Sequence, residues 1–572
     1  MKNSEIANIF SQVAYLLEIR GDNIHRVLSY RRAAESLAEL PHDLKQLADR
    51  GELTSISGIG KTLAEKIDEM LETGRLEFLD RLTEEIPLSI LELLKIEGMG
   101  PKRVKLVYNK LNVTSLADLE AVAADGSLSN LPGLGKKSVE KIIKGIQDLK
   151  SFGTGRVKLG DALPTAEEIL EVLQKLPCVS KAAIAGSVRR RKETIGDIDL
   201  LVATDDPETV MQTFTTIGPS YEVALNGPTK SRITKDGLGI DLRVLPAENW
   251  GTLISYFTGS QAHNVRLREL AKAQGLSLNE YAFTKADDTD KILCPTEKDV
   301  YQVLGLDWVP PELREDRGEI EAAQNGTLPK LIELDDIQGD LHMHTTWSDG
   351  NHTILEMAQA AIALGRKYIC ITDHSYSLGI TNGLDEKRLL EQYNEIQQVR
   401  DQLGDQIHIL HGTEMEVRND GTLDFEDDLL ESLDFVIAAV HTGLSQPREQ
   451  VTDRMLGAIE NKHVDMIAHP TGRLIGRRTG GDFDIEKIIE AAARTQTILE
   501  INAHPSRLDL KDVHIKLALD HGVLLAINTD AHHIDQQKLM HFGVSTGRRG
   551  WAQAKNVVNS WQYHDLFNLV SG

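Results

Sequence analysis

From residue 4 to residue 20, SEIANIFSQVAYLLEIR, apolar side chains fall at Ile6, Ile9, Phe10, Val13, Leu16 and Leu17. That three-and-four spacing lays one apolar stripe along a helix. Patterns of this kind continue and predict a helical region to about residue 150. The period then changes. KAAIAG, DIDLLVA and IDLRVLP are short, apolar runs that predict strands. The run LREDRGEIEAAQNGTLPKLIEL, residues 313–334, is polar and charged and carries a Gly and a Pro, which predicts a linker. Beyond it YICITD, HILHGTE, FVIAAVH, DMIAHP, TILEIN and VLLAINTD alternate with helical stretches, a β/α pattern. Most of these strands end in His, Asp, Glu or Asn. Polar residues at the C-terminal ends of parallel strands are where barrel enzymes keep their chemistry.

A chain of 572 residues exceeds the size of one core, so several domains are expected. No apolar run approaches the ~18 residues of a membrane helix, and the start MKNSEIANIF lacks the basic-then-apolar order of a signal peptide. Cys178, Cys294 and Cys370 are too scattered for a zinc or disulfide framework, which fits a cytoplasmic protein. The net charge of −24 argues against nucleic acid until its placement is examined. The region after residue 330 holds 37 Asp and Glu against 21 Lys and Arg, and 16 of the 19 histidines. The acidic end is thus chemically distinct from the rest.

Within the helical region one pattern recurs: SGIGKTLAEKI, EGMGPKRVKLV and PGLGKKSVEKI. Each places Gly-apolar-Gly before a helix, at Gly58 and Gly60, Gly98 and Gly100, and Gly133 and Gly135. Such turns direct backbone N–H groups outward at a helix start and can hold a phosphate without reading bases. The three copies resemble the helix-hairpin-helix motif of DNA-repair proteins.

Residues 186–199 read GSVRRRKETIGDID. Asp197 and Asp199, two apart on a strand, share one face. Asp241, in GIDLRVL, lies on a second strand that could run beside the first. Three converging carboxylates are costly unless cations neutralise them, and Mg²⁺ suits such a cluster with substrate phosphates. Two such ions would promote attack by a hydroxyl and departure of pyrophosphate. Gly186 and Ser187 offer backbone and hydroxyl donors, and Arg189 or Arg190 a guanidinium fork for a triphosphate.

GSVRR with GDIDLL resembles the polymerase-β-like nucleotidyltransferases, and YFTGSQAHNVRLRELAKAQGLSLNEYAF narrows the resemblance to family X DNA polymerases. It implies that Asp197, Asp199 and Asp241 hold the catalytic metals and that Asp241 acts on the primer 3′-hydroxyl. It also implies that Ser187, Arg190 and Arg156 contact the triphosphate. Tyr256 and Phe257 would border the sugar, Gly259 and Ser260 form a turn, Asn264 meet the base and Arg268 the template. Gln261 and Val265 stand where polymerase β has an acid and a lysine, so its base contacts need not transfer. IHRVLSYRRAAESLAELPHDL and the first Gly-apolar-Gly helix resemble the polymerase β lyase domain. By that likeness Lys66 is a Schiff-base lysine, with His25, Arg26, Tyr30 and Arg31 around a 5′-phosphate pocket.

The acidic end supplies nine candidate metal ligands: His342, His344, Asp349, His374, Glu414, His441, His469, Asp530 and His532. Imidazole with carboxylate suits Zn²⁺, Mn²⁺ or Fe²⁺, with Zn²⁺ or Mn²⁺ expected here, and nine ligands imply two or three ions. Clustered ions that generate hydroxide hydrolyse phosphoesters. The series resembles the polymerase-and-histidinol-phosphatase (PHP) domain, a distorted β/α barrel, and Arg473, Arg477 and Arg478 are candidate phosphate contacts beside it. The expected fold is multidomain, α and α/β: a lyase-like helical domain at 1–85, a fingers-like domain with two helix-hairpin-helix motifs at 86–152, a nucleotidyltransferase α+β palm at 153–250, a nucleotide-selection subdomain at 251–312, a linker at 313–334 and a PHP barrel at 335–572. The expected function is gap-filling DNA polymerisation in repair, with Mg²⁺, dNTPs and gapped or primer-template DNA, coupled to 3′–5′ exonuclease or AP-endonuclease chemistry. A monomer without membrane contact, associated with the nucleoid, is expected. The alternatives are a DNA-repair scaffold, or a nucleotidyltransferase carrying a small-molecule phosphatase.

Overall fold

The structure, a computed structural model, describes residues 1–96, 98–152, 156–285 and 291–570. Glu97, the first residue of the second Gly-apolar-Gly stretch, lies outside them, and the expected boundary at 152–153 falls against the undescribed residues 153–155. The chain forms two compact units, residues 1–156 with 235–238, and residues 157–234 with 239–572.

The first unit is helical. Its opening helix, Asn3–Arg20, buries Ile6, Phe10, Val13, Leu16 and Leu17 as the spacing required, and ends at Gly21 in the left-handed conformation. These side chains join one apolar core that runs to Ile146. The helices Lys61–Thr73, Pro101–Leu111 and Lys136–Phe152 each follow a Gly-apolar-Gly stretch.

The second unit contains a five-stranded mixed sheet in the order Val179–Ile184, Asp197–Thr204, Leu238–Leu245, Lys230–Lys235, Glu222–Asn226. Along Asp197–Thr204 the alternation sends Ile198 and Leu200 into the core and leaves Asp197 and Asp199 on the other face. Helices Trp250–Thr258 and Gln261–Ala273 and a small antiparallel sheet follow.

The histidine-rich region is a barrel of seven parallel strands in sequence order, from Gly339–Asp340 to Leu525–Asn528. A parallel bridge between Met343 and Ala531 brings its two ends together. Its helices pack outside, as parallel strands buried on both faces demand. Strand pairing stops at Asp340, so His342 and His344 sit just past the first strand.

The stretch 313–334, expected as a linker, has local structure of its own. It carries the helix Glu319–Asn325, with Glu319, Ile320 and Arg314 buried. Arg314 is charged yet bonded on every side. It donates to Glu297 at 2.6 Å and to the Val309 carbonyl. Among the described residues no helix is long and apolar enough to cross a membrane.

Two candidate metal centres and three glycine turns

The strands Asp197–Thr204 and Leu238–Leu245 run parallel, with Asp199 opposite Asp241 and Asp197 opposite Gly239. The pleat therefore gathers three carboxylates from two strands on one face. Burial first, and then the charges of Asp197 and Asp241, push the Asp199 carboxyl up to about 7. Asp241 is 8% exposed, and its Oδ1 is buried without a hydrogen bond. An orphaned buried carboxylate oxygen beside two more carboxylates fits a hard divalent cation. Two basic residues that sequence reasoning missed face the same cluster. Arg232 Nη1 lies 3.2 Å from Asp241 and 3.9 Å from Asp197, and Lys230 Nζ lies 3.6 Å from Asp241. Both sit on the neighbouring strand with no distinctive local pattern.

Gly186 approaches this cluster from the turn before the short helix Gly186–Arg189. Its φ is +59°, and an added Cβ would lie 2.1 Å from Asp199 Oδ2, so only glycine fits. Ser187 is half-buried on that helix. The two candidate arginines separate clearly. Arg189 is committed to a bidentate pair with Glu297 at 2.9 Å and to Thr258. Arg190 anchors its Nε on Glu315 at 3.1 Å and donates Nη1 to the Thr258 carbonyl, beside Gly259. The Gly259–Ser260 turn places Ser260 as the cap of helix Gln261–Ala273, and Gly259 has a φ of +69°. Tyr256, Asn264 and Arg268 line one cleft, with Asn264 Nδ2 bound to the Tyr256 carbonyl at 2.7 Å. The Phe257 ring lies under Arg243 at 4.5 Å. Arg156 is exposed at the end of the first unit.

At the mouth of the barrel, Glu414 is the hub. His374 Nδ1 lies 2.9 Å from it, His469 Nε2 2.9 Å, His441 Nε2 3.2 Å, His342 Nε2 3.4 Å and His344 Nε2 3.5 Å. Asp530 meets His344 at 3.2 Å, and Asp349 meets His532 at 3.3 Å. All nine predicted ligands thus converge. Eight of them form three groups with candidate ligand atoms within 4.8 Å of one another: His344, Asp349, His374 and His532; His342, His344 and Asp530; and His374, Glu414 and His441. His342 Nε2, both ring nitrogens of His344 and Glu414 Oε2 are buried without a hydrogen bond. Buried polar atoms aimed at one point fit bound cations. His469 and Asp530 also hold φ of +27° and +54°, strain that clusters at functional sites.

Sequence reasoning missed the carboxylates behind these histidines. Glu500 takes His342 Nδ1 at 2.7 Å and the His469 backbone N–H at 2.7 Å. Glu416 takes His441 Nδ1 at 2.7 Å. A carboxylate on one ring nitrogen fixes the tautomer and aims the other at a metal. Two of the arginines beside the barrel make contacts within the protein. Arg473 binds Glu193 at 2.8 Å and the Arg507 and Leu508 carbonyls, and Arg478 binds the Gly472 carbonyl.

In the first unit the three Gly-apolar-Gly turns are alike. Gly58, Gly98 and Gly133 have φ of +80°, +87° and +76°. Gly60, Gly100 and Gly135 do not, and a Cβ on any of them would meet nothing within 4 Å. The second glycine is thus required by no neighbour in the chain and leaves room for a ligand against the backbone. Lys66 is half-buried, with Nζ 4.7 Å from the Phe78 ring centre. Burial, together with Arg81 and Arg26, lowers its pKa despite Glu69. His25 is exposed, whereas the Tyr30 ring is buried against Phe10 and Phe78.

Comparison with known proteins is consistent with this geometry. Family models match as a helix-hairpin-helix domain at residues 1–76, a SAM-like helix-hairpin-helix tandem at 90–148, a DNA polymerase beta thumb at 253–315 and a PHP domain at 340–504. The chain is 39% identical over 569 residues, 99% of each chain, to the DNA polymerase/3′-5′ exonuclease PolX of Bacillus subtilis. It is 28% identical over 350 residues to DNA polymerase lambda of Rattus norvegicus, covering 55% of this chain and 56% of that one. Over 213 residues it is 29% identical to a probable phosphatase of Caldanaerobacter subterraneus, 34% of this chain and 75% of the relative.

The Asp199 environment makes a prediction about stability. Its folded pKa near 7 lies above the ordinary ~3.9, so folding favours the protonated form. The ionised carboxylate therefore costs stability as pH rises through that window, on the order of 2–4 kcal/mol at pH 8 without divalent ions. Asp199→Asn should melt higher than the parent at pH 8 in chelator, and the gain should shrink toward pH 5. Thermal melts across that range test it; a gain that does not vary with pH would contradict the electrostatic cause.

Proposed function

Because the chain belongs to the bacterial family X DNA polymerases that carry a PHP domain, we propose that it extends DNA primers at the Asp197–Asp199–Asp241 centre and degrades DNA 3′ ends at the histidine centre. The observation that carries this is the presence in one chain of two centres built for different metal chemistry. One holds three carboxylates and is flanked by Arg190. The other holds five histidines around Glu414 with Asp349, Asp530 and His532 beside them.

In this reading residues 1–85 form the lyase-like domain, 86–152 the fingers-like domain, 153–250 the palm, 251–312 the nucleotide-selection subdomain and 335–572 the phosphoesterase. The three glycine turns hold backbone phosphates of gapped DNA. Asp197, Asp199 and Asp241 hold Mg²⁺, and the nine barrel ligands hold two or three Zn²⁺ or Mn²⁺ ions. Those cations supply charge neutralisation at the triphosphate and activation of the attacking hydroxyl or water. The rest falls to the protein. Arg190, with Nε fixed on Glu315, presents its guanidinium to a dNTP triphosphate alongside Ser187. Tyr256 and Phe257 border the sugar, Asn264 faces the base, and Arg268 the template. Asp241 receives the proton of the primer hydroxyl. Glu500 and Glu416 hold His342 and His441 in orientation and keep their outer nitrogens protonated. The biological setting we propose is short-gap repair synthesis by a monomer in the cytoplasm.

Asp197→Ala should reduce nucleotide incorporation on gapped DNA at least 1000-fold and change 3′ degradation less than twofold. The double variant His342→Ala/His344→Ala should do the reverse and lose at least one equivalent of metal. Both assays and metal analysis on purified proteins decide the matter. Gap filling that survives Asp197→Ala would refute the first assignment. Unaltered 3′ degradation with unaltered metal content in the histidine variant would refute the second. If that centre hydrolyses phosphomonoesters while leaving DNA intact, the small-molecule phosphatase reading takes its place.

The lowered pKa of Lys66 supports a further reading, Schiff-base attack on a 5′-deoxyribose phosphate. Borohydride should trap the parent protein on such an end and fail to trap Lys66→Ala. Equal trapping of both would assign the amine elsewhere.

A further inference from the structure

We propose that Arg549, the last residue of helix Met540–Arg549 in the barrel region, is a positioning residue for nucleotidyl transfer in the other half of the same unit. This rests on the reading of Arg190 as a triphosphate contact. The Arg549 side chain is 4% exposed and reaches Arg190 directly at its backbone carbonyl and, through Glu315, at its side chain. Its Nη1 donates to the Arg190 backbone carbonyl at 2.7 Å and to Glu315 Oε1 at 3.0 Å. That same Glu315 oxygen accepts Arg190 Nε at 3.1 Å. On its far side Arg549 Nη2 is fixed to Asp512 Oδ2 at 2.6 Å, and Arg317 reaches the same oxygen at 3.2 Å.

The geometry has a direct consequence at the aspartate centre. Arg190 caps the short helix Gly186–Arg189, and Gly186 lies against Asp199. Holding the Arg190 carbonyl therefore steadies the turn that carries both Gly186 and Ser187. Holding Glu315 helps orient the Arg190 guanidinium, whose Nε donates to that carboxylate while Nη1 donates to the Thr258 carbonyl. Burial opposes the charge on Glu315, yet Arg549, Lys192 and Arg190 keep its carboxyl down at about 2. The charge that anchors the two arginines is thus favoured near neutral pH. Misplacement of a binding group by a fraction of an ångström is enough to cost rate or affinity. A residue of the phosphoesterase half would in this way set the nucleotide affinity of the polymerase half.

The test uses the full chain. Arg549→Met keeps the length and apolar bulk of the side chain and removes its donors. On gapped DNA with Mg²⁺ it should raise KM for dNTP about tenfold while changing kcat less than threefold. Degradation of 3′ ends by the barrel centre, measured on the same preparation, should stay within twofold. Glu315→Gln is the second variant, and it should raise KM in the same way if Arg549→Met does not fold. The decisive comparison is made in an Arg190→Ala background, where adding Arg549→Met should raise KM by clearly less than it does in the parent, because only the main-chain contact that steadies the turn is left to lose. A normal KM in both Arg549→Met and Glu315→Gln, or a full additional increase in the Arg190→Ala background, would overturn the proposal and leave Arg549 a contact that only joins the two halves. If Arg190→Ala alone leaves KM unchanged, the reading of Arg190 fails first, and the proposal falls with it.

Discussion

Carboxylates and imidazoles gathered away from water repel or strand one another unless cations take up their charge. Both centres of this chain are built on that constraint. Strand register sets Asp199 against Asp241 and drives the Asp199 carboxyl up to about 7. In the barrel, five histidines close on the fully buried Glu414, and several of their nitrogens find no hydrogen-bond partner. Neither arrangement contributes to folding by itself. Each is carried by a packed sheet: Ile198 and Leu200 on the reverse face of one, and the fully buried strand Phe435–Ala439 within the other. The scaffold supplies the stability that the sites consume.

The sheet and the barrel are joined by buried or half-buried arginines rather than by an apolar seam alone. Arg473 meets Glu193 at 2.8 Å, Arg548 meets Glu312 at 2.8 Å, and Arg549 and Arg317 share Asp512. Buried ion pairs are costly to form, and breaking one by removing a partner is costlier still, so such contacts favour one geometry over its neighbours. They also explain why residues 313–334 are ordered. Their charges, Glu315 and Glu319 among them, have partners fixed by the fold. Glu319 accepts His263 Nδ1 at 2.7 Å, and that ring's Nε2 meets the Tyr301 hydroxyl.

What could be read in the sequence follows from how local each signal is. The helix Asn3–Arg20, the Asp197–Asp199 strand and the three glycine turns are written in spacing alone, and the structure has them where the spacing put them. The nine barrel candidates could be grouped from the sequence because most lie near the end of a short strand or just past it, and parallel strands in sequence order bring such ends together. Arg232, Glu500 and Glu416 could not, because they act through partners set by register and not by sequence distance. Contacts of Tyr30 and Arg473 were equally out of reach of the spacing: the Tyr30 ring packs on Phe10, and Arg473 pairs with Glu193.

The account stands most directly on where cations bind. Crystals of the full chain with gapped DNA and a dNTP analogue, grown in Mn²⁺ and measured at the manganese edge, would show this by anomalous scattering. The account predicts peaks beside Asp197, Asp199 and Asp241, and two or three more among the ligands around Glu414. Absence of signal at the aspartates with DNA and nucleotide bound, or a single peak or none in the barrel, would contradict it.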